Sequence, residues 1–149
     1  MSDSVTARAV IAEAERWIGT PYRHQGRMRG VGCDCIGLLL GIWRGLYGSV
    51  PEAPRNYAAD WADGERGDSL LDACRRHFIE RPVAEMAPGD LLLFRWRPHL
   101  PARHAGIFTG QSRFIHAYER VGVVASPLVP GWRRRIAAVF SFPSLPGGD

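Results

Sequence analysis

Cys35, His104 and His116 are of the types that together perform nucleophilic catalysis. Cys35 lies in Gly32-Cys33-Asp34-Cys35-Ile36-Gly37, directly before an apolar helical pattern, so it opens a predicted helix. Unpaired backbone N–H groups and the positive end of the helix dipole gather there. Both favour thiolate over thiol. An ordinary thiol titrates near ~8.5 and is only a few per cent ionised at neutral pH, whereas a drop of about two units would ionise roughly three quarters of it. The sequence therefore predicts a cysteine with a lowered pKa, served by histidines that follow it in the chain.

Those histidines must share one face of a sheet. In His104-Ala105-Gly106-Ile107-Phe108 and Phe114-Ile115-His116-Ala117-Tyr118 the even positions share a face within each segment. A three-residue loop, Thr109 to Gln111, sets His104 directly opposite His116 on the same face. A two-residue turn at Gly110-Gln111 sets them on opposite faces. The chemistry needs the first arrangement, in which His104 acts as base to Cys35 and His116 orients the His104 ring. Taken singly, each histidine reads as an ordinary sheet residue; the order Cys, His, His after a helix start favours catalysis.

The elements that position these residues follow from periodicity. Val10, Ala14 and Trp17 recur at helical spacing, as do Ile11, Ala14 and Ile18, and Gly19 with Pro21 stops that helix. Residues 22 to 32, rich in Arg and Gly, read as a loop. The second helix carries a stripe of Ile36, Leu39, Leu40, Trp43, Leu46 and Tyr47, with Asp34 as N-cap. Gly37, Gly41 and Gly45 mark a face without side chains, which implies close approach of another backbone. Residues 48 to 67 read as irregular, and a short helix runs from about Asp68 to Ile79. After Pro88-Gly89 the period changes to two, giving strands at Asp90–Arg95, His104–Thr109, Arg113–Tyr118, Gly122–Ser126 and Ile136–Phe140. Helices followed by a mostly antiparallel sheet of about five strands make an α+β domain.

At 149 residues, with 46% hydrophobic and 23% charged residues, the chain reads as one domain, 1–149. Its 19 basic residues are all arginine and its net charge is +4. Without lysine, phosphate-loop and Schiff-base chemistry is excluded. Arg133-Arg134-Arg135 reads as solvated surface, and no nucleic-acid module accompanies it. No apolar stretch approaches the ~18 residues of a membrane span. The N-terminus lacks the basic and apolar regions of a signal peptide, so synthesis in the cytoplasm is expected. Three cysteines do not make a disulfide framework, and Cys33 and Cys35 are too close for a zinc knuckle. Neither metal nor cofactor is expected.

The sequence resembles the NlpC-type cell-wall peptidases, papain-like cysteine enzymes. The matching segments are Gly19-Thr20-Pro21-Tyr22, Asp34-Cys35-Ile36-Gly37, Pro88-Gly89-Asp90-Leu91, His104-Ala105-Gly106-Ile107-Phe108 and Phe114-Ile115-His116-Ala117. Each is weak alone; in family order they are specific. The resemblance implies Cys35 as nucleophile, His104 as base, His116 as the third polar member and Tyr22 beside the cysteine. It implies cleavage of peptidoglycan stem peptides between γ-D-glutamate and the diamino acid, through a thioester. Two departures stand out: Ile36 follows the nucleophile where the family commonly has serine, and the 48–87 connection is longer than in compact members. Gly32-Cys33-Asp34-Cys35, with Trp43-Arg44-Gly45-Leu46-Tyr47 downstream, resembles the branch encoded with phage tails and gene transfer agents. That resemblance implies tail-tip or baseplate hub proteins as partners, incorporation in a phage-like tail, and action in the wall or periplasm.

Arg23, Arg27, Arg29 and Arg103 flank the site in sequence and either bind substrate carboxylates or stay solvated. Arg23, Arg103, Tyr22 and Asp34 are the candidate substrate-binding residues, although Asp34 reads first as a cap. Cys33 reads as a small neighbour in a tight loop and Cys74 as core; His24, His77 and His99 read as surface or loop. Two other readings remain at this stage: a papain-like amidase or esterase with another substrate, and a tail-tip structural protein with weak catalysis.

Overall fold

A computed structural model describes residues 4–50 and 68–145, so part of the long 48–87 connection, with Tyr57 and Trp61, lies outside the described residues. Helix α1 (Ser4–Glu15) is followed by a small hairpin of β1 (Arg27–Met28) and β2 (Gly32–Cys33), then by α2 (Cys35–Tyr47) and α3 (Ser69–His77). The strands β3 (Ile79–Arg81), β4 (Leu91–Phe94), β5 (His104–Gly110), β6 (Arg113–Tyr118), β7 (Gly122–Pro127) and β8 (Ile136–Ser141) form one sheet, with a one-turn helix α4 (Pro130–Arg133) before β8. The sheet has six strands in the order β3-β8-β4-β5-β6-β7, all antiparallel. The α+β class holds. The expected five strands match β4 to β8 within a residue or two. Sequence reading missed β3, the β1–β2 hairpin and α4: the first two are too short for a period to register, and α4 is a single turn. No described helix is long and apolar enough to cross a membrane.

Two apolar layers flank the sheet. On one side Val10, Ala14 and Trp17 of the N-terminal segment, the apolar residues of α2, and Ala105, Ile107, Ile115 and Ala117 of the sheet form the larger core. Ile18 is 47% exposed, so the Ile11-Ala14-Ile18 stripe is not the buried one. The first half of α2 is covered nearly all round, with Leu38 and Ile42 buried beside the expected stripe, while Trp43, Leu46 and Tyr47 are half-buried. On the other side Leu92, Phe94, Phe108, Phe114, Leu128 and Val139 pack with Trp132.

Glycines on α2 set how closely its neighbours approach. A Cβ at Gly37 would lie 1.8 Å from the Gly26 carbonyl oxygen, and one at Gly41 would overlap the Trp17 ring. Asp34 caps the helix: one carboxylate oxygen accepts from the Gly37 N–H (2.8 Å), the other from the Gln25 N–H (2.7 Å). The loop of residues 22 to 32 is thus tied to the helix start through Gly26 and Gln25. Pro88-Gly89-Asp90 does comparable structural work. Gly89 takes φ +92°, and Asp90 accepts from the Ala87 N–H (2.8 Å) and the Ser141 hydroxyl (3.3 Å) while facing Arg81 at 3.4 Å.

Alanine in place of glycine inside a helix ordinarily gains stability. Gly37→Ala should instead lose about 1–3 kcal/mol, because the methyl group meets backbone that cannot move alone. Urea unfolding checks this; equal or higher stability would contradict it.

Candidate active site

The start of α2 meets the start of β5. The Cys35 thiol donates to the carbonyl oxygen of Arg103 at 3.6 Å, and N–H groups of Ala105, Ile36 and Cys35 point at the sulfur. Tyr22, Cys35, Trp96, Arg103, His104, Ala117, Tyr118 and Glu119 line a cleft of about 170 Å³ around this junction.

Behind it lies the imidazole pair. His104 Nε2 and His116 Nδ1 are 2.9 Å apart, and His116 Nε2 is 2.9 Å from the Ser126 hydroxyl oxygen. With His104 Nε2 engaged, Nδ1 is the ring nitrogen left for the thiol. The strand register differs from the expected one. His116 pairs with Gly106, so His104 and His116 are diagonal neighbours rather than directly opposite. The turn has two central residues, Gln111 and Ser112, both at positive φ (53° and 57°). That turn alone would put the histidines on opposite faces. A register shift between Phe108 and Gly110 adds one residue to β5 and restores a common face. Gly106 completes the fit: a Cβ there would lie 3.2 Å from the His116 Cβ and 2.8 Å from the Phe114 ring. Its absence leaves the His116 ring room to lean toward His104.

Aromatic rings enclose the pair. Trp96 and Trp132 each stack on His104 with centroids 5.5 Å apart, and Tyr118 stacks on His116 at 5.2 Å. Trp96 rides on the loop between β4 and β5. Asp68 holds that loop, accepting from the Arg95 guanidinium (2.9 Å) and the Ala102 N–H (2.8 Å).

Of the residues expected from sequence, Tyr22, Cys35, Arg103 and His104 line the cleft, and His116 lies directly behind His104. Asp34 is 4% exposed and spends its carboxylate on backbone amides, so it shapes the helix start from beneath. Arg23 does not line the cleft; its aliphatic stem lies over Gly32. Arg27 lines a separate cavity with Met28 and Arg44. Cys33 and Cys74 are buried. Sequence reading missed Trp96, Glu119, Ser126 and Trp132. Ser126 and Trp132 carry no local signal, since they reach the site only through the sheet and α4. Among the described residues no group of three or more His, Cys, Asp or Glu is placed to hold a metal ion.

The electrostatics differ from the sequence expectation. Burial pushes the Cys35 thiol up to about 12, and the Asp34 charge adds to it; the N–H groups at the sulfur pull the other way and lose. Burial likewise pushes Cys33 to about 12. Burial lowers His104 to about 3, with His116 adding repulsion, and lowers His116 to about 4. The resting site is therefore a neutral thiol beside two neutral imidazoles. The lowered thiol pKa expected from the helix start is not found, because desolvation of a charge in this enclosed site outweighs the dipole. Nor does the thiol bond His104 at rest; its hydrogen bond goes to Arg103, a looseness common in unliganded sites. A neutral imidazole with an open nitrogen can still take the thiol proton as sulfur attacks a carbonyl.

A family model described as the NlpC/P60 family matches residues 19–140. The chain belongs to the NlpC/P60 family and has its papain-like fold. It is 30% identical over 129 residues to the probable endopeptidase NlpC of Escherichia coli (strain K12), covering 86% of this chain and 73% of that protein. It is 30% identical over 148 residues to the gamma-DL-glutamyl hydrolase of Bacillus subtilis (strain 168), covering 97% of this chain but only 32% of that one. The crystal structure of an NlpC/P60 family protein from Bacillus cereus ATCC 10987 superposes with a TM-score of 0.65 at 23% identity, over 94% of this chain and 40% of that one. The NlpC/p60 domain of the peptidoglycan hydrolase SagA gives 0.65 at 22% identity, over 91% and 98%.

The lowered histidine pKa values make stability depend on pH. The unfolded chain protonates its histidines as pH falls below about 6.5, whereas the folded chain keeps this pair neutral until about 4 and 3. Their contribution is thus present above pH 6.5 and is lost as pH falls toward 3. Tm should fall between pH 6.5 and 4, and should fall less in a His104→Gln/His116→Gln double variant. Parallel Tm profiles for the two proteins would contradict it. Alkylation of Cys35 by iodoacetamide should rise from pH 7 through pH 10 with no plateau; a plateau below pH 8 would show a resting thiolate.

Proposed function

We propose that this protein is a peptidoglycan endopeptidase with Cys35 as nucleophile. The observation that carries the reading is one cleft where the thiol, the free nitrogen of a hydrogen-bonded imidazole pair and helix-start N–H groups converge. Cys35 attacks a peptide carbonyl as its proton passes to His104 Nδ1. N–H groups at the start of α2 stabilise the oxyanion. His104 then protonates the leaving amine, and water hydrolyses the thioester.

The bond we assign is that between γ-D-glutamate and the diamino acid. Two observations support it. One relative carries the name gamma-DL-glutamyl hydrolase. The cleft also offers opposite charges, Arg103 and Glu119, beside the Tyr22 hydroxyl, which suits a substrate with both carboxylate and amine groups. Burial holds that hydroxyl protonated, at about 12, so it can donate.

We further assign the protein to a phage-like tail, where it cuts the wall locally from outside. The support is the likeness of residues 32–37 and 43–47 to the tail-encoded branch. Mass spectrometry of purified particles tests that assignment: the protein is expected in the tail fraction, and its presence only as free protein in the lysate would contradict it.

The substrate reading is tested by digesting purified sacculi and analysing the muropeptides by mass spectrometry. Products ending in γ-D-glutamate are expected. Cys35→Ala should abolish them with the fold intact, and Cys33→Ala should keep most activity. Products cut elsewhere would overturn the bond assignment, and activity that survives Cys35→Ala would overturn the nucleophile.

A further inference from the structure

Ser126 is the last member of a chain that crosses three strands on one face. His116 pairs with Gly106 on β5 and with Val124 on β7, so both His104 and Ser126 lie diagonally from it. The two contacts are each 2.9 Å and use both nitrogens of His116. His116 is fully buried, and Ser126 is half-buried. Of the charged side chains on β6 and α4, Arg113 donates to the Ala125 carbonyl and Arg133 to the Ser112 hydroxyl.

Each neutral imidazole carries one N–H, so only two proton arrangements satisfy both contacts. In the first, Ser126 accepts from His116 Nε2–H, and His116 Nδ1 accepts from His104 Nε2–H. His104 Nδ1 is then a bare lone pair, able to take a proton. In the second, the Ser126 hydroxyl donates, both imidazoles reverse, and His104 Nδ1 carries a proton and cannot act as base. Which arrangement prevails is decided at the serine. Because Ser126 reaches solvent, its own hydroxyl proton can go to water, leaving an oxygen lone pair for His116.

We infer that Ser126 is a positioning residue of the catalytic relay: as acceptor at the far end, it fixes the tautomers of His116 and His104 so that His104 Nδ1 is free. This rests on the reading of Cys35 and His104 as nucleophile and base, but not on the substrate. A hydroxyl suits a site that is neutral at rest. It orients the rings without adding a charge, as a carboxylate would.

The test combines imidazole ¹⁵N NMR of the free protein with turnover of a stem peptide. The wild type should show Nε2–H tautomers at both histidines. Ser126→Ala should mix them and lower kcat about 10- to 100-fold, the range typical of partners that orient an imidazole, with KM unchanged. Ser126→Thr should restore both. Ser126→Asp should move the acid limb of the kcat profile to higher pH, since a carboxylate stabilises the imidazolium. Wild-type tautomers and kcat in Ser126→Ala would overturn the inference. So would an Ala variant that Thr fails to rescue while Tm falls in step with kcat, for then the serine would only pack. A wild type with these tautomers and no action on the peptide would overturn the substrate reading alone, since NMR reads the tautomers without substrate.

Discussion

The hydrogen bond between His104 and His116 exists only because β5 and β6 turn both rings to one face of the sheet. Side chains alternate strictly along a strand, so a slip of one residue in the hairpin would separate the two rings by the thickness of the sheet. The Gln111-Ser112 turn imposes such a slip, and the bulge between Phe108 and Gly110 removes it. Gly106 then leaves the space through which His116 leans diagonally to reach its partner. The hairpin connection and one missing side chain decide whether the imidazoles meet, although none of those residues touches a reacting atom.

The placement of Cys35 depends on a second fixed junction. Asp34 ties the helix start to the loop of residues 22 to 32, and Gly37 lets the Gly26 backbone lie against the first turn. Cys35 is thereby held at the β5 backbone, against Arg103 and Ala105. The same close packing removes water, which keeps the thiol and both imidazoles neutral. Enclosure thus opposes the helix dipole, and in this site enclosure prevails. In the proposed reaction a charge develops only as a substrate carbonyl receives it, with the N–H groups of the helix start beside the oxygen.

Much of this arrangement was legible in the sequence, and what escaped has a common cause. Asp34 announced itself as a cap by its place before an apolar stripe, and the parity of His104 and His116 could be read from two alternating segments. Local patterns carry such information. The register did not follow, because a bulge costs one residue and leaves no mark beyond a glycine. Ser126 and Trp132 were silent for the same reason: a serine on a strand and a tryptophan in a one-turn helix gain meaning only when the sheet brings them to His116 and His104. The thiol pKa was misjudged because a helix start is visible in sequence, whereas the burial of a side chain by a segment 68 residues away is not.

The most direct test of the central claim is to catch the covalent intermediate. A reaction with a stem peptide, quenched in acid within milliseconds and digested with trypsin, releases the segment 30–44, which holds both Cys33 and Cys35. The account predicts a thioester carrying the γ-glutamyl fragment, located by fragmentation on Cys35 and absent from Cys35→Ala. An acyl group on Cys33, or turnover with no acyl group on either cysteine at any time, would contradict it.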